Sequence, residues 1–139
     1  MKLVNFITCD DIRQELSGKH TFVGVFEDLT INFSNNESWP AAIKIAFYMT
    51  VQREKSEKTF NKFEFKILRD GEEKSSFGGI LKFPDLKDTF SIILNFNSML
   101  IGSAGVLSFK LLVYNDSELL ASFDPHPLTI SSAILNENN

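Results

Sequence analysis

The 139-residue chain has few of the residues that do soft or titratable chemistry. It carries one cysteine, Cys9, and two histidines, His20 and His126. A lone cysteine excludes an intrachain disulfide and the paired thiolates of a zinc site. Polar aromatics are scarce as well, with 2 Tyr and 1 Trp against 14 Phe, so the aromatic content suits a dry core better than a wet surface. Positive charge is in deficit: 14 Lys and Arg against 18 Asp and Glu give a net charge of −4. That excludes a general nucleic-acid binder, which needs a basic surface to displace counterions. No run reaches the roughly 18 apolar residues of a membrane helix, since the longest, SMLIGSAGVLSFKLLVY, is cut by two glycines and Lys110. The N-terminal apolar run meets Asp10 and Asp11 before a secretory core forms. The plain reading is a cytoplasmic protein. There is also no G-x-S-x-G elbow, no P-loop and no G-x-G-x-x-G, and Gly78-Gly79 is followed by no helix that would present amides to a phosphate.

What is present is period-two alternation. Lys2–Thr8 reads as a strand. Asp10–Lys19 fits either a short capped helix or extended chain turning at Ser17-Gly18, and the clear strand after it favours the extended reading. Gly24 interrupts that next strand and marks a bulge or a close approach of another backbone. In 41–52, Ile43, Ile45, Phe47, Met49 and Val51 form one apolar face. Asp70-Gly71 is a type I′ hairpin signal, after which a strand runs on to Pro84. The segment 89–96 alternates, and 97–105 reads as a connection whose Met99, Leu100 and Ile101 tuck into the end of the core. A turn at Asn115-Asp116-Ser117 follows strand 106–114. Pro125 and Pro127 then break the chain before a short edge strand at Leu128–Ile130. The sum is a single all-β domain over 1–131, an antiparallel, immunoglobulin-like β-sandwich of about eight strands, with a polar, frayed tail at 132–139.

Few residues stand outside that account. Cys9, His20 and His126 with Asp10 form a conceivable metal or nucleophile set, but the spacing carries no signature, and Cys9 reads more simply as a small buried hydrophobe. Asp10, Asp11, Asp85, Asp88, Asp116 and Asp124 are the residue type for calcium, yet they are scattered with no D-x-D-x-D loop and read as turn formers. No catalytic residue, metal or cofactor is therefore assigned. Trp39, in the loop Asn35–Pro40, is a candidate for ligand stacking; its alternative is to fold back over the end of the sandwich. The segment CDDIRQELSGK is denser in chemistry. It makes Asp10, Asp11, Arg13, Glu15 and Lys19 a candidate interaction cluster, against the alternative of a self-satisfied connection between strands.

These residues carry a resemblance. The stretch Cys9, Asp10, Asp11, Ile12, Arg13, Gln14, Glu15 with Gly18 and Lys19, followed by Gly24-Val25-Phe26, resembles the N-terminal pattern of an uncharacterised family of small bacterial proteins, a domain of unknown function. Gly105, Phe109–Val113, Leu120–Ser122 and Pro125 are similar to its C-terminal part, although Asn115-Asp116-Ser117 stands where Asp-Gly is commoner. The resemblance implies a bacterial β-sandwich and supplies no activity. The expectation is a non-enzymatic interaction or structural module that docks a protein partner or a second copy through a strand edge, without nucleic acid or membrane. The alternative is a sandwich binding a small carbohydrate or lipid at Trp39 and the 99–101 connection.

Overall fold

The computed structural model describes residues 1–81 and 88–135. Ten strands follow one another: β1 (Lys2–Gln14), β2 (His20–Val25), β3 (Asp28–Phe33), β4 (Ala41–Gln52), β5 (Lys62–Arg69), β6 (Glu72–Ile80), β7 (Thr89–Ile101), β8 (Gly105–Asn115), β9 (Glu118–Phe123) and β10 (Leu128–Ile134). No helix occurs among the described residues, so none there is long and apolar enough to cross a membrane. The strands form two largely antiparallel sheets, one ordered β2-β1-β4-β7 and the other β3-β10-β8-β5-β6, with β9 also on β8.

Local chemistry explains most of the boundaries. Asp70 and Gly71 both take positive φ, 51° and 79°, and join Arg69 to Glu72 in the two-residue turn that matches the twist of a hairpin. Asp116 does the same at φ 51° between β8 and β9. Asp10–Gln14 is extended, as favoured, and the β1–β2 turn closes through Gly18 at φ 82°, with the Glu15 amide donating to the Lys19 carbonyl at 2.8 Å.

Three expectations need correction. Among the described residues the strands number ten rather than about eight, with β2 and β3 separating at residues 26–27. β7 continues through Ile101, so the connection to β8 is only residues 102–104; Ile101 is buried as expected, whereas Leu100 is 70% exposed rather than tucked in. Asn97 and Ser98 look like turn formers, but strand pairing overrides a local preference of that size. β10 is not an edge: it lies between β3 and β8, parallel to β3, with Thr129 opposite Asp28 and Ile134 opposite Phe33. Leu128 and Ile130 are buried there, and that burial holds the strand inside its sheet. Pairing of Ser132, Ala133 and Ile134 makes them strand rather than tail. Residues 136–139, and Phe83, Pro84 and Asp85, lie outside the described residues.

The chain divides into two compact units. The first comprises Met1–Phe6, Tyr48–Ile92 and Leu107–Pro127. Its core is aromatic and packed as in a sandwich: Phe6 of one sheet meets Phe65 and Phe109 of the other at ring-centroid distances of 6.4 and 5.5 Å. Phe65 and Phe109 stack at 5.6 Å with planes 13° apart, and Phe60 meets Phe90 edge-on at 4.6 Å. Thr50 is buried in this unit and its hydroxyl has no hydrogen-bond partner among the described residues. A buried hydroxyl left unpaired costs more than an apolar group of the same shape. Thr50→Val is therefore expected to stabilise the protein by about 0.5–1.5 kcal/mol, read as a higher urea midpoint with an unchanged slope.

The second unit comprises Ile7–Phe47, Ile93–Val106 and Leu128–Asn139. Cys9, Ile45, Ala46 and Phe47 are fully buried within it, and Phe47 meets Phe96 edge-on at 6.0 Å. Asp10, Asp11, Arg13, Glu15, Lys19 and Trp39 all fall in this unit, whereas His126 falls in the first.

Candidate functional site

Asp10 stands opposite Gly24 in the β1–β2 pair, between the registered pairs Cys9–Val25 and Asp11–Val23. Gly24 has φ +64°, and a Cβ built on it would lie 2.8 Å from the Asp10 carboxyl carbon. The close approach that Gly24 permits is thus that of a side chain, not of another backbone. Asp11 is held by two cations, with Arg13 Nε at 3.2 Å and Lys44 Nζ of β4 at 3.6 Å. The Arg13 hydrogen bond holds the Asp11 carboxyl below its ordinary value, against the opposing effect of burial, and the Lys44 charge lowers it further. Glu15 accepts a hydrogen bond from the Thr21 hydroxyl at 2.8 Å. Lys19 is exposed, and its carbonyl closes the turn.

The five candidates therefore do not converge. Asp11 and Arg13 are brought together, joined by Lys44, which sequence reading missed because it lies 33 positions away. Glu15 is bonded separately to Thr21, and the Asp10 carboxyl lies against Gly24 on the same hairpin. A depressed carboxyl stabilises the fold above its unfolded-state value, and that stability is lost as pH falls through the folded-state value. The stability gap between wild type and Asp11→Asn is accordingly expected to close as pH drops below the carboxylate range. Urea midpoints across that range check it, and a gap that widens in acid would contradict it.

Cys9 and His20 do not form one constellation. Cys9 pairs with Val25 and His20 with Gln14, five positions apart, or roughly 16 Å along the strand. Cys9 is fully buried, and burial pushes its thiol up, away from nucleophilic chemistry. No group of three or more His, Cys, Asp or Glu among the described residues is placed to hold a metal. Trp39 is half-buried and packs edge-on against Phe33, with centroids 5.1 Å apart, so it folds back onto β3. Met99 and Ile101 lie on β7 with Leu100 between them, not in a loop.

A different feature stands out: the outer edge of β7, whose residues Ile93–Ile101 lie in the second unit. β7 is the terminal strand of its sheet and the joint longest in the fold at 13 residues, TFSIILNFNSMLI, with no charge, no proline and no glycine. The other terminal strands carry the devices that blunt an edge. β2 and β3 are six residues each, with Gly24 in the one and Asp28 in the other. β6 carries Glu72, Glu73, Lys74 and the Gly78-Gly79 pair. β9 is six residues long and opens on Glu118. An unprotected edge offers a row of main-chain donors and acceptors to another strand. The first unit holds a cavity of about 400 Å³, walled by Leu68, Phe109, Pro125 and Pro127, with the Lys110–Asp124 ion pair at 3.8 Å beside it. No protein-family model matches the chain, and no curated protein matches it.

Proposed function

We propose that the protein is a non-enzymatic, cytoplasmic interaction module of immunoglobulin-like sandwich type, bacterial in origin, which docks a partner strand on the outer edge of β7. One observation carries the reading: the long terminal strand is also the one without charge, proline or glycine. Main-chain hydrogen bonds supply affinity in such docking, and alternate side chains supply specificity. The Asp10–Lys19 hairpin is read as a largely self-satisfied support, since Asp11 spends its bonds on Arg13 and Lys44 and Glu15 on Thr21.

The test compares Leu100→Lys with Leu119→Lys. Both replace exposed leucines, on β7 and β9 respectively. Capture of protein from host lysate is expected to fall at least tenfold for Leu100→Lys and to be unchanged for Leu119→Lys. Equal capture by both variants and wild type overturns the reading. A second reading, a small apolar ligand carrying an acidic group, rests on the cavity beside Lys110. Fatty-acid titration that raises the melting temperature of wild type but not of Lys110→Ala supports it, and no shift in wild type removes it.

A further inference from the structure

We propose that residues Ile93–Ile101 of β7 pair with the same nine residues of a second copy of this chain, antiparallel and centred on Asn97. The proposal rests on the β7 edge being the docking element and names what occupies it. All nine residues belong to one compact unit.

The first argument is charge. A two-fold axis sets the residue on it against its own counterpart and brings any charge near it within diagonal reach of the same charge in the partner, which is destabilising across strands. The nine residues carry none. A neutral strand bears no charge with which to select a differently charged partner, but it matches itself without penalty.

The second argument is register. Centring on Asn97 sets Leu94 opposite Leu100, Ile93 opposite Ile101, Phe96 opposite Ser98 and Asn95 opposite Met99, with Asn97 facing its own counterpart. Opposed side chains in such pairs are close enough to pack, at Cβ separations of about 4.5–5.5 Å. Leu100 is 70% exposed in the single chain, and this register lays Leu94 of the second copy beside it. Each strand then continues its sheet into the next copy. The interface is small, so the association is concentration-dependent.

Sedimentation of the full chain over a hundredfold concentration range, combined with disulfide trapping by oxidised glutathione, tests this. Wild type is expected to rise from one-chain to two-chain mass, and Leu100→Lys to stay at one while keeping its unfolding midpoint. Asn97→Cys is expected to trap a disulfide-linked dimer, because its counterpart lies directly across the axis within the roughly 4.4–6.8 Å Cα span a disulfide needs. Leu100→Cys is expected not to trap one, since six positions of offset hold the two thiols roughly 20 Å apart. Trapping of Leu100→Cys but not Asn97→Cys overturns the register. Wild type at one-chain mass throughout overturns the second copy as occupant. If Leu100→Lys then still abolishes capture from lysate, the docking edge stands with a different partner; if it does not, both fail.

Discussion

Phe65→Ala is expected to lower the free energy of unfolding by about 3–5 kcal/mol. The side chain is fully buried, stacked on Phe109 and adjacent to Phe6. Truncation removes the transfer energy of the ring and leaves a hole that two rigid aromatic neighbours fill poorly. Because the Phe65–Phe109 contact is a stacked pair, Phe109→Ala in the same chain should cost less than its effect alone, as each change forfeits the shared contact. Urea unfolding of the two single variants and the double variant checks this. A loss below about 1 kcal/mol for Phe65→Ala would mean that the site collapses freely and that the aromatic cluster is not the core of its unit.

Gly24→Ala is expected to cost about 2–3 kcal/mol, from the left-handed conformation and from overpacking. The new methyl would enter the space of the Asp10 carboxyl, at a backbone angle of φ +64° that alanine adopts at a cost. The two causes separate in a double variant. Adding Asp10→Gly removes the carboxyl, so the overpacking is relieved while the conformational strain of roughly 1–2 kcal/mol persists. Recovery of part of the loss is the expected result. Full recovery would place the whole cost in the steric clash, and none would place it in the backbone.

The pairing of Asp10 with Gly24 shows where sequence stopped being informative. Gly24 announced a bulge or a close approach of another backbone, and only the register identifies the approaching group as the Asp10 side chain. The Asp70-Gly71 turn and the buried alternation of β4 were legible because both follow from local backbone preference and period-two burial. The extent of β7 was not: Asn97 and Ser98 favour turns, and the pairing that overrides them is non-local. The partners of Asp11 were half legible, Arg13 two positions away but Lys44 reachable only through the sheet. The absence of charge from Thr89 to Ile101 was open to inspection, but its meaning depends on β7 being terminal, which is a property of topology. The Phe content announced a dry core, and in the first unit it is a set of tilted and stacked rings.

The parallel alliance of β3 with β10 has a consequence in time. Thr30 and Ser131, which share a hydrogen bond across that pair, are 101 residues apart in sequence. β3 is terminal in its sheet and β10 is its neighbour there. During synthesis at about 5–20 residues per second, β3 leaves the ribosome roughly 5–20 s before the strand that completes it. For that interval its ladder groups and the side chain of Phe33 wait without their final cover, a delay that contacts between distant segments impose on any chain. The protein's most vulnerable moment is therefore set by the order in which its strands are made, and a nascent chain halted before Leu128 should be the form that chaperones and proteases see.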